Sequence, residues 1–187
     1  MKRREIIKYT ALLTGAAVSA PLAGTLLSGC QAPAVEEGSV ALSFFKQDEF
    51  NLVKNLADLI LPRTDSPSAS DVGVPEMIDH MVGKVYNQQN KDGYKNQFSK
   101  LLAYLDKVNF TTLDAPKKLD LLKELDLSVD ESIADAQKAF LGFKQQTIAY
   151  YLSTEEIGTK FLNYLPVPGE YEACITLEEV GGKAWAL

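Results

Sequence analysis

The chain is poor in the residues on which most enzyme chemistry depends. It contains one histidine (His80), two cysteines and one tryptophan in 187 residues. A hydrolase needs a nucleophile with a base, and a catalytic zinc ion needs three protein ligands, so one histidine argues against both. Glycine-rich phosphate loops, dinucleotide fingerprints and the Cys-x-x-Cys-His haem motif are also missing. We therefore expect no catalytic residue, no cofactor site and no metal site in this chain.

Charge is absent from Tyr9 to Val35, and the residues around this stretch indicate an export signal. Arg3 and Arg4 precede it, and Cys30 follows the small residues Ser and Gly within it. Paired arginines before an apolar stretch are typical of twin-arginine export, and a cysteine after small residues is typical of lipoprotein processing. The sequence predicts a signal peptide over 1–29 and lipid attachment at Cys30. A transmembrane anchor and a general secretory signal are the two alternatives.

The predicted signal also predicts a location. Twin-arginine export carries folded proteins, so we expect a folded, lipid-anchored protein of the cell envelope that faces the periplasm or the exterior. Gln31 follows the cysteine where an aspartate would favour retention in an inner membrane, if the cell has two membranes.

The mature chain is strongly acidic. The whole chain has 19 basic and 25 acidic residues, and removal of the signal leaves 15 and 24, a net charge of −9. Such a surface repels nucleic acids and anionic lipid headgroups, so we expect no nucleic-acid binding. Membrane attachment must then come from the lipid on Cys30.

Apolar residues at three- and four-residue spacing indicate helices along most of the mature chain. No alternating pattern is long enough to predict a sheet. We expect a signal at 1–29, a lipidated tether at 30–46, and a single all-α domain of about six helices at 47–187 with an irregular C-terminal tail. The expected helices are 48–61, one from Pro75 to Val85, one after Gly93, a shorter one after Asp114, the longest and central one at 130–152, and one after Thr154.

Three residues are candidates for contact with a partner protein. Arg63 is the only arginine of the mature chain and lies in a loop rich in turn-forming residues. It could instead clamp onto Asp65, Asp71 or loop carbonyls. Trp185 lies in an apolar C-terminal tail without helical spacing, which packs either on its own domain or on another chain.

Cys174 is the third candidate. Because lipid attachment consumes Cys30, Cys174 has no cysteine left to pair with inside the chain. It is therefore either a buried thiol or a bridge to another chain, and base rates favour the buried thiol slightly.

Several segments together resemble the gluconate 2-dehydrogenase subunit 3 family. The similarity covers about residues 50–175, which is nearly the whole mature domain. Its segments are Leu-Ala-Asp-Leu-Ile-Leu-Pro-Arg-Thr-Asp-Ser-Pro at 56–67, Ala-Ser-Asp-Val-Gly-Val-Pro at 69–75, Ile78-Asp79, Phe-Lys-Gln-Gln-Thr-Ile-Ala-Tyr-Tyr-Leu-Ser at 143–153, and Tyr-Leu-Pro-Val-Pro-Gly-Glu-Tyr at 164–171.

The resemblance implies a non-catalytic small subunit of a membrane-bound sugar or alcohol dehydrogenase. The large subunit, of the glucose-methanol-choline type, would bind FAD in the cytoplasm and cross the membrane on the small subunit's signal. A cytochrome c subunit often accepts the electrons in such complexes. Many relatives are not evidently lipoproteins, so Cys30 implies that this chain itself supplies an anchor. Cys174 is the candidate for a disulfide to the large subunit.

Two other functions remain open. The chain could be a stand-alone helical envelope lipoprotein that binds a small apolar or sugar-like ligand in an internal pocket. It could also be a metal-dependent enzyme centred on His80, with Glu76 four residues before it on the same helix.

Overall fold

The computed structural model describes residues 41–167, 169–170 and 174–186, and most of these residues are helical. Within these ranges there is no β-strand, and a single isolated bridge joins Asn163 to Trp185. The predicted all-α domain of about six helices is therefore confirmed. The helices are α1 Gln47–Ile60, α2 Val74–His80, α3 Gln88–Lys107, α4 Ala115–Leu127, α5 Ala134–Leu152 and α6 Glu155–Lys160.

Helix α5 is the centre of the fold, as its apolar pattern predicts. It packs against each of the other five α-helices. Because neighbours surround it, its buried positions are spread around its circumference rather than confined to one stripe. These buried residues are Ala136, Ala139, Phe140, Phe143, Thr147 and Tyr151.

The expected helix boundary at Gly93 is wrong. Gly93 does not separate two helices but lies inside α3, and the chain breaks instead at Tyr86 and Asn87, after a π-helical turn at Met81–Val85. The Asn87 side chain caps α3 by accepting a hydrogen bond from the N–H of Asn90 at 2.9 Å. An interior glycine costs only about 1 kcal/mol, which the buried apolar face of α3 outweighs.

Helix length also differs from the prediction. Among the described residues, α3 is the longest helix with 20 residues, and α5 has 19 because it begins at Ala134 after a 3₁₀ turn at Glu131–Ile133. In the part of the chain that the structure describes, no helix combines the length and apolar character needed to cross a bilayer.

The last residues of the predicted tether belong to the folded domain. The carboxylate of Asp79 on α2 accepts hydrogen bonds from the backbone N–H groups of Ser43, Phe44 and Phe45 at 2.6, 2.9 and 2.9 Å. Both Asp79 and Phe45 are buried. The tether therefore ends before Ser43, because a buried carboxylate holds the backbone that follows.

Candidate partner-binding surface

The loop between α1 and α2 is held in one conformation by hydrogen bonds from its neighbours. The carboxylate of Asp58, on α1, accepts bonds from the backbone N–H of Ser70 at 2.9 Å and from its hydroxyl at 2.7 Å. The N–H of Ala69 donates to the carbonyl of Leu61 at 3.0 Å. Gly73 ends the loop at a φ of 75°, a conformation that favours glycine.

A second helix fixes the middle of the same loop. Tyr151, in the last turn of α5, donates its hydroxyl to the carbonyl of Pro67 at 2.7 Å and lies 3.0 Å from the Ser66 hydroxyl. The Tyr151 side chain is buried, and these bonds are partly shielded from solvent. The loop is therefore held in a defined geometry.

Arg63 lies near the start of this loop and forms an ion pair with Asp71. The Nη2 of Arg63 lies 2.5 Å from an Asp71 carboxylate oxygen, and the backbone N–H of Ser68 donates to the other oxygen at 2.8 Å. Hydrogen bonds from the Ser68 backbone and hydroxyl, followed by the Arg63 guanidinium, lower the pKa of Asp71. The clamp onto Asp71 is therefore formed. The Arg63 side chain nevertheless stays 73% exposed, so it remains accessible to a partner.

The C-terminal tail is tied to its own domain through Asn163, three residues after α6. The N–H of Asn163 donates to the carbonyl of Ala184 at 2.8 Å, and its own carbonyl accepts from Ala186 at 2.9 Å. Its side-chain amide donates to the carbonyls of Val180 and Lys183 at 2.9 and 3.0 Å. The sequence left two alternatives for the tail, and this part of it packs on its own domain.

The tail is attached to the domain, but several of its apolar side chains are exposed. Trp185 is 49% exposed although its backbone is bridged to Asn163. Exposed apolar side chains that cluster along one segment are typical of protein interaction sites. We call this set the tail patch, and it comprises Tyr164, Leu165, Val167, Ile175, Leu177 and Trp185.

Cys174 lies within the same segment and is exposed. The slightly favoured alternative, a buried thiol, is therefore wrong. The periodicity that places buried residues in helices does not extend into this irregular segment, so the sequence held no signal for the exposure of this thiol.

The loop and the tail patch lie at the same end of the central helix. Tyr151 connects the loop to the last turn of α5, and α6 begins three residues after α5 ends. A side chain added at Gly158 on α6 would meet Ala186 of the tail at 3.7 Å. Arg63 and Trp185 therefore occupy two segments that both gather around the C-terminal end of α5. Arg3, Arg4 and Cys30 lie outside the residues that the structure describes.

His80 is exposed on α2. Over the described ranges, no group of three or more His, Cys, Asp or Glu side chains is arranged to hold a metal ion.

The sequence did not identify Asp58 and Tyr151, the two polar residues that hold the loop. They act through bonds to backbone groups 12 and 84 residues away, which no local pattern encodes. The available signal was position, because both lie in the segments 56–67 and 143–153 that resemble the subunit 3 family.

These features define a small all-α protein with a rigid, arginine-bearing loop and an exposed apolar tail. Residues 47–169 match the sequence model of gluconate 2-dehydrogenase subunit 3, and the chain belongs to that family. The resemblance seen in the sequence segments is thereby confirmed. The family name describes one subunit of a dehydrogenase complex. No curated protein and no solved structure matches the chain significantly.

Proposed function

We propose that this chain is a non-catalytic small subunit that escorts, stabilises and anchors a large FAD-dependent sugar or alcohol dehydrogenase of the glucose-methanol-choline type. The observation that carries the proposal is the set of exposed apolar side chains in the tail patch, together with the exposed Arg63, in a chain that belongs to a family of dehydrogenase subunits. The FAD and the chemistry would belong to the partner. A cytochrome c subunit is the candidate third component.

The tail patch has the chemistry of a contact with a large protein. Val167 is 80% exposed and Trp185 49% exposed, and burial of apolar surface is the main driving force of stable association. Tryptophan and arginine are the residue types that most often dominate binding energy at protein interfaces. Trp185 and Arg63 are therefore the contact residues we propose, and Cys174 is the candidate for a disulfide to the large subunit.

Arg63 suits such a contact because its position is already fixed. The ion pair with Asp71, the hydrogen bond that Asp58 accepts and the one that Tyr151 donates hold the loop before any partner binds. A preorganised contact loses less conformational entropy on binding than a flexible one.

The export and anchoring roles rest on the sequence signal. Arg3 and Arg4 would route the small subunit and its bound flavoprotein through the twin-arginine pathway. Lipid on Cys30 would then hold the complex to a membrane, on the side that faces the periplasm or the exterior.

The interaction is tested by isolating the protein from membranes of its own organism and recording a flavin absorbance spectrum of the co-purifying material. We expect flavin with the unaltered chain and a clear loss of flavin with Trp185→Ala or Arg63→Ala. Val129→Ala is the matched control, because Val129 is 97% exposed but lies between α4 and α5. Equal flavin recovery from all variants would contradict a role of the tail patch and Arg63.

Two signal variants separate export from anchoring. Replacing Arg3 and Arg4 with lysine should leave the flavoprotein in the cytoplasm, because the partner has no signal of its own in this proposal. Cys30→Ser should instead release an exported flavoprotein into the soluble fraction outside. Normal export of the flavoprotein with the lysine variant would refute the escort role.

The proposed disulfide has its own test. Non-reducing gels of the complex should show a heavier band that disappears with Cys174→Ser. A band that is the same with and without Cys174 would remove the disulfide from the proposal but leave the non-covalent interaction intact.

A further inference from the structure

A groove of about 350 Å³ runs between α3 and α5, apart from the loop and the tail patch. Its walls are mainly aromatic. Rings of Tyr94 and Phe98 come from α3, those of Phe143 and Tyr150 come from α5, and Tyr86 closes one end just before α3. Aromatic walls of this kind bury the faces of a flat ligand efficiently.

The polar groups of the groove are the phenols of Tyr86, Tyr94 and Tyr150 and the amides of Gln97 and Gln146. The side-chain amide of Gln146 donates toward the hydroxyls of Tyr86 and Tyr150 at 3.4 and 3.3 Å. The Tyr86 hydroxyl also donates toward Tyr150, so Tyr150 accepts in both contacts and keeps its own proton for another acceptor. The Tyr94 hydroxyl is buried without a hydrogen-bond partner in the protein.

Two of the phenols, those of Tyr94 and Tyr86, have a raised pKa. Burial, together with the neighbouring phenols, raises the pKa of Tyr94, and burial followed by the neighbouring Tyr150 hydroxyl raises the pKa of Tyr86. Among the described residues that line the groove, none carries a charge. An ionic ligand would therefore lose its hydration without gaining an opposite charge.

Helix α5 contributes a glycine at the groove wall. A Cβ added at Gly142 would meet no atom within 4 Å, so the space in front of it is empty. An exposed interior glycine weakens a helix by about 1 kcal/mol relative to alanine, and here it leaves the groove wider.

We propose that this groove binds a small neutral molecule with one flat ring and a carbonyl oxygen. The ring packs between the aromatic walls, and the carbonyl accepts the proton of the Tyr150 hydroxyl. This inference does not depend on the proposed subunit role.

The test uses acetophenone as the probe and the purified mature protein in detergent, with binding followed by changes in the NMR signals of the aromatic residues. Ethylbenzene has nearly the same shape without the carbonyl, benzoate adds a negative charge, and glucose presents hydroxyls without a flat ring. We expect acetophenone to bind more tightly than each of the other three. Equal binding of ethylbenzene, or preference for benzoate or glucose, would overturn the proposal.

Two variants locate the binding. Gly142→Leu should fill the groove and weaken acetophenone binding at least tenfold, whereas Gly93→Leu should leave it unchanged. Gly93 is the matched control because it is also an exposed helical glycine with open space in front of it, on α3 outside this groove. Tyr150→Phe should weaken acetophenone roughly threefold to tenfold and leave ethylbenzene unchanged.

Unchanged acetophenone binding by Gly142→Leu would overturn the proposal, since binding would then occur elsewhere or in the detergent. Absence of any acetophenone binding would do the same and would leave the groove as a hydrated cleft. A circular dichroism melt of each variant confirms that a loss of binding does not reflect loss of the fold.

Discussion

The carboxylate of Asp79 accepts the backbone N–H of Ser43 at 2.6 Å, across 36 residues of sequence. The same side chain also accepts from Phe44 and Phe45, so one buried aspartate holds the first described turn of the domain. This segment leads directly into α1, and Phe45 packs among aromatic residues that include Phe98, with ring centroids 5.3 Å apart. The start of the domain is thus a fixed structural element.

Asp79→Ala should lower the free energy of unfolding by about 2–4 kcal/mol. It leaves three backbone donors without their charged acceptor, and charged hydrogen bonds contribute about 1.5–3 kcal/mol each but not additively. Urea denaturation measures the change. Asp135→Ala is the control, because its ion pair with Lys100 is on the surface and should contribute ~1 kcal/mol or less. Equal effects of the two variants would contradict the clamp.

Gly83→Ala should also destabilise the domain, by more than about 1 kcal/mol. The added Cβ would stand 2.5 Å from the Cβ of Ser43 and 2.8 Å from its backbone carbonyl carbon, so the clamped segment would have to move. Gly142→Ala makes the same chemical change on α5 in open space and should be neutral or stabilising by up to ~1 kcal/mol. Thermal melts distinguish the two, and a neutral Gly83→Ala would show that the segment is not held closely.

Tyr151→Phe should loosen the Arg63 loop. It removes the hydroxyl that bonds Pro67 and Ser66, with an expected loss of about 1–2 kcal/mol in unfolding free energy. Hydrogen exchange at the Ala69 N–H, which bonds to Leu61 within the loop, should become faster. Tyr164→Phe, at an exposed tail position, should change neither quantity. Unchanged exchange at Ala69 would argue that Asp58 alone fixes the loop.

The Arg63 loop should lose part of its order in acid. Hydrogen bonds from Ser68 and the Arg63 guanidinium hold the pKa of Asp71 below its usual value, so the stabilisation is complete above about pH 4, the ordinary aspartate range. It is lost as pH falls through the lowered pKa. In an NMR titration the Ser68 amide signal should shift only below about pH 4, and Asp71→Asn should abolish the shift. A transition above pH 4 would contradict the ion pair.

The helices could be predicted because their signals are local. Helix α1 ends at Ile60, before Pro62, and α2 carries Pro75 in its first turn, because proline lacks the N–H and the freedom of φ that a helix interior requires. The break at Asn87 differs from the predicted break at Gly93, because the Asn87 side chain caps α3 whereas Gly93 lies within it. Packing of α3 against α5 keeps this region helical. Gly93 is tolerated there because it lies on the exposed side of α3.

The candidate surface was only partly predictable. Arg63 was a candidate as the only arginine of the mature chain, and Trp185 as part of an apolar tail. Both side chains are exposed. The clamp onto Asp71 was one of the alternatives that the sequence left open. The tail was expected to be irregular, but its attachment through Asn163 depends on backbone carbonyls and an N–H group 17 to 23 residues away.

The sequence by itself determined the helical class, the family and the acidic charge, since spacing, motifs and composition are properties of neighbouring residues. Tertiary structure alone decided that Asp79 holds the start of the domain, that Tyr151 bonds to the Arg63 loop and that three tyrosines line one groove. The physical reason is that a buried polar group is stable only beside its partner, and folding brings those partners together from distant parts of the chain.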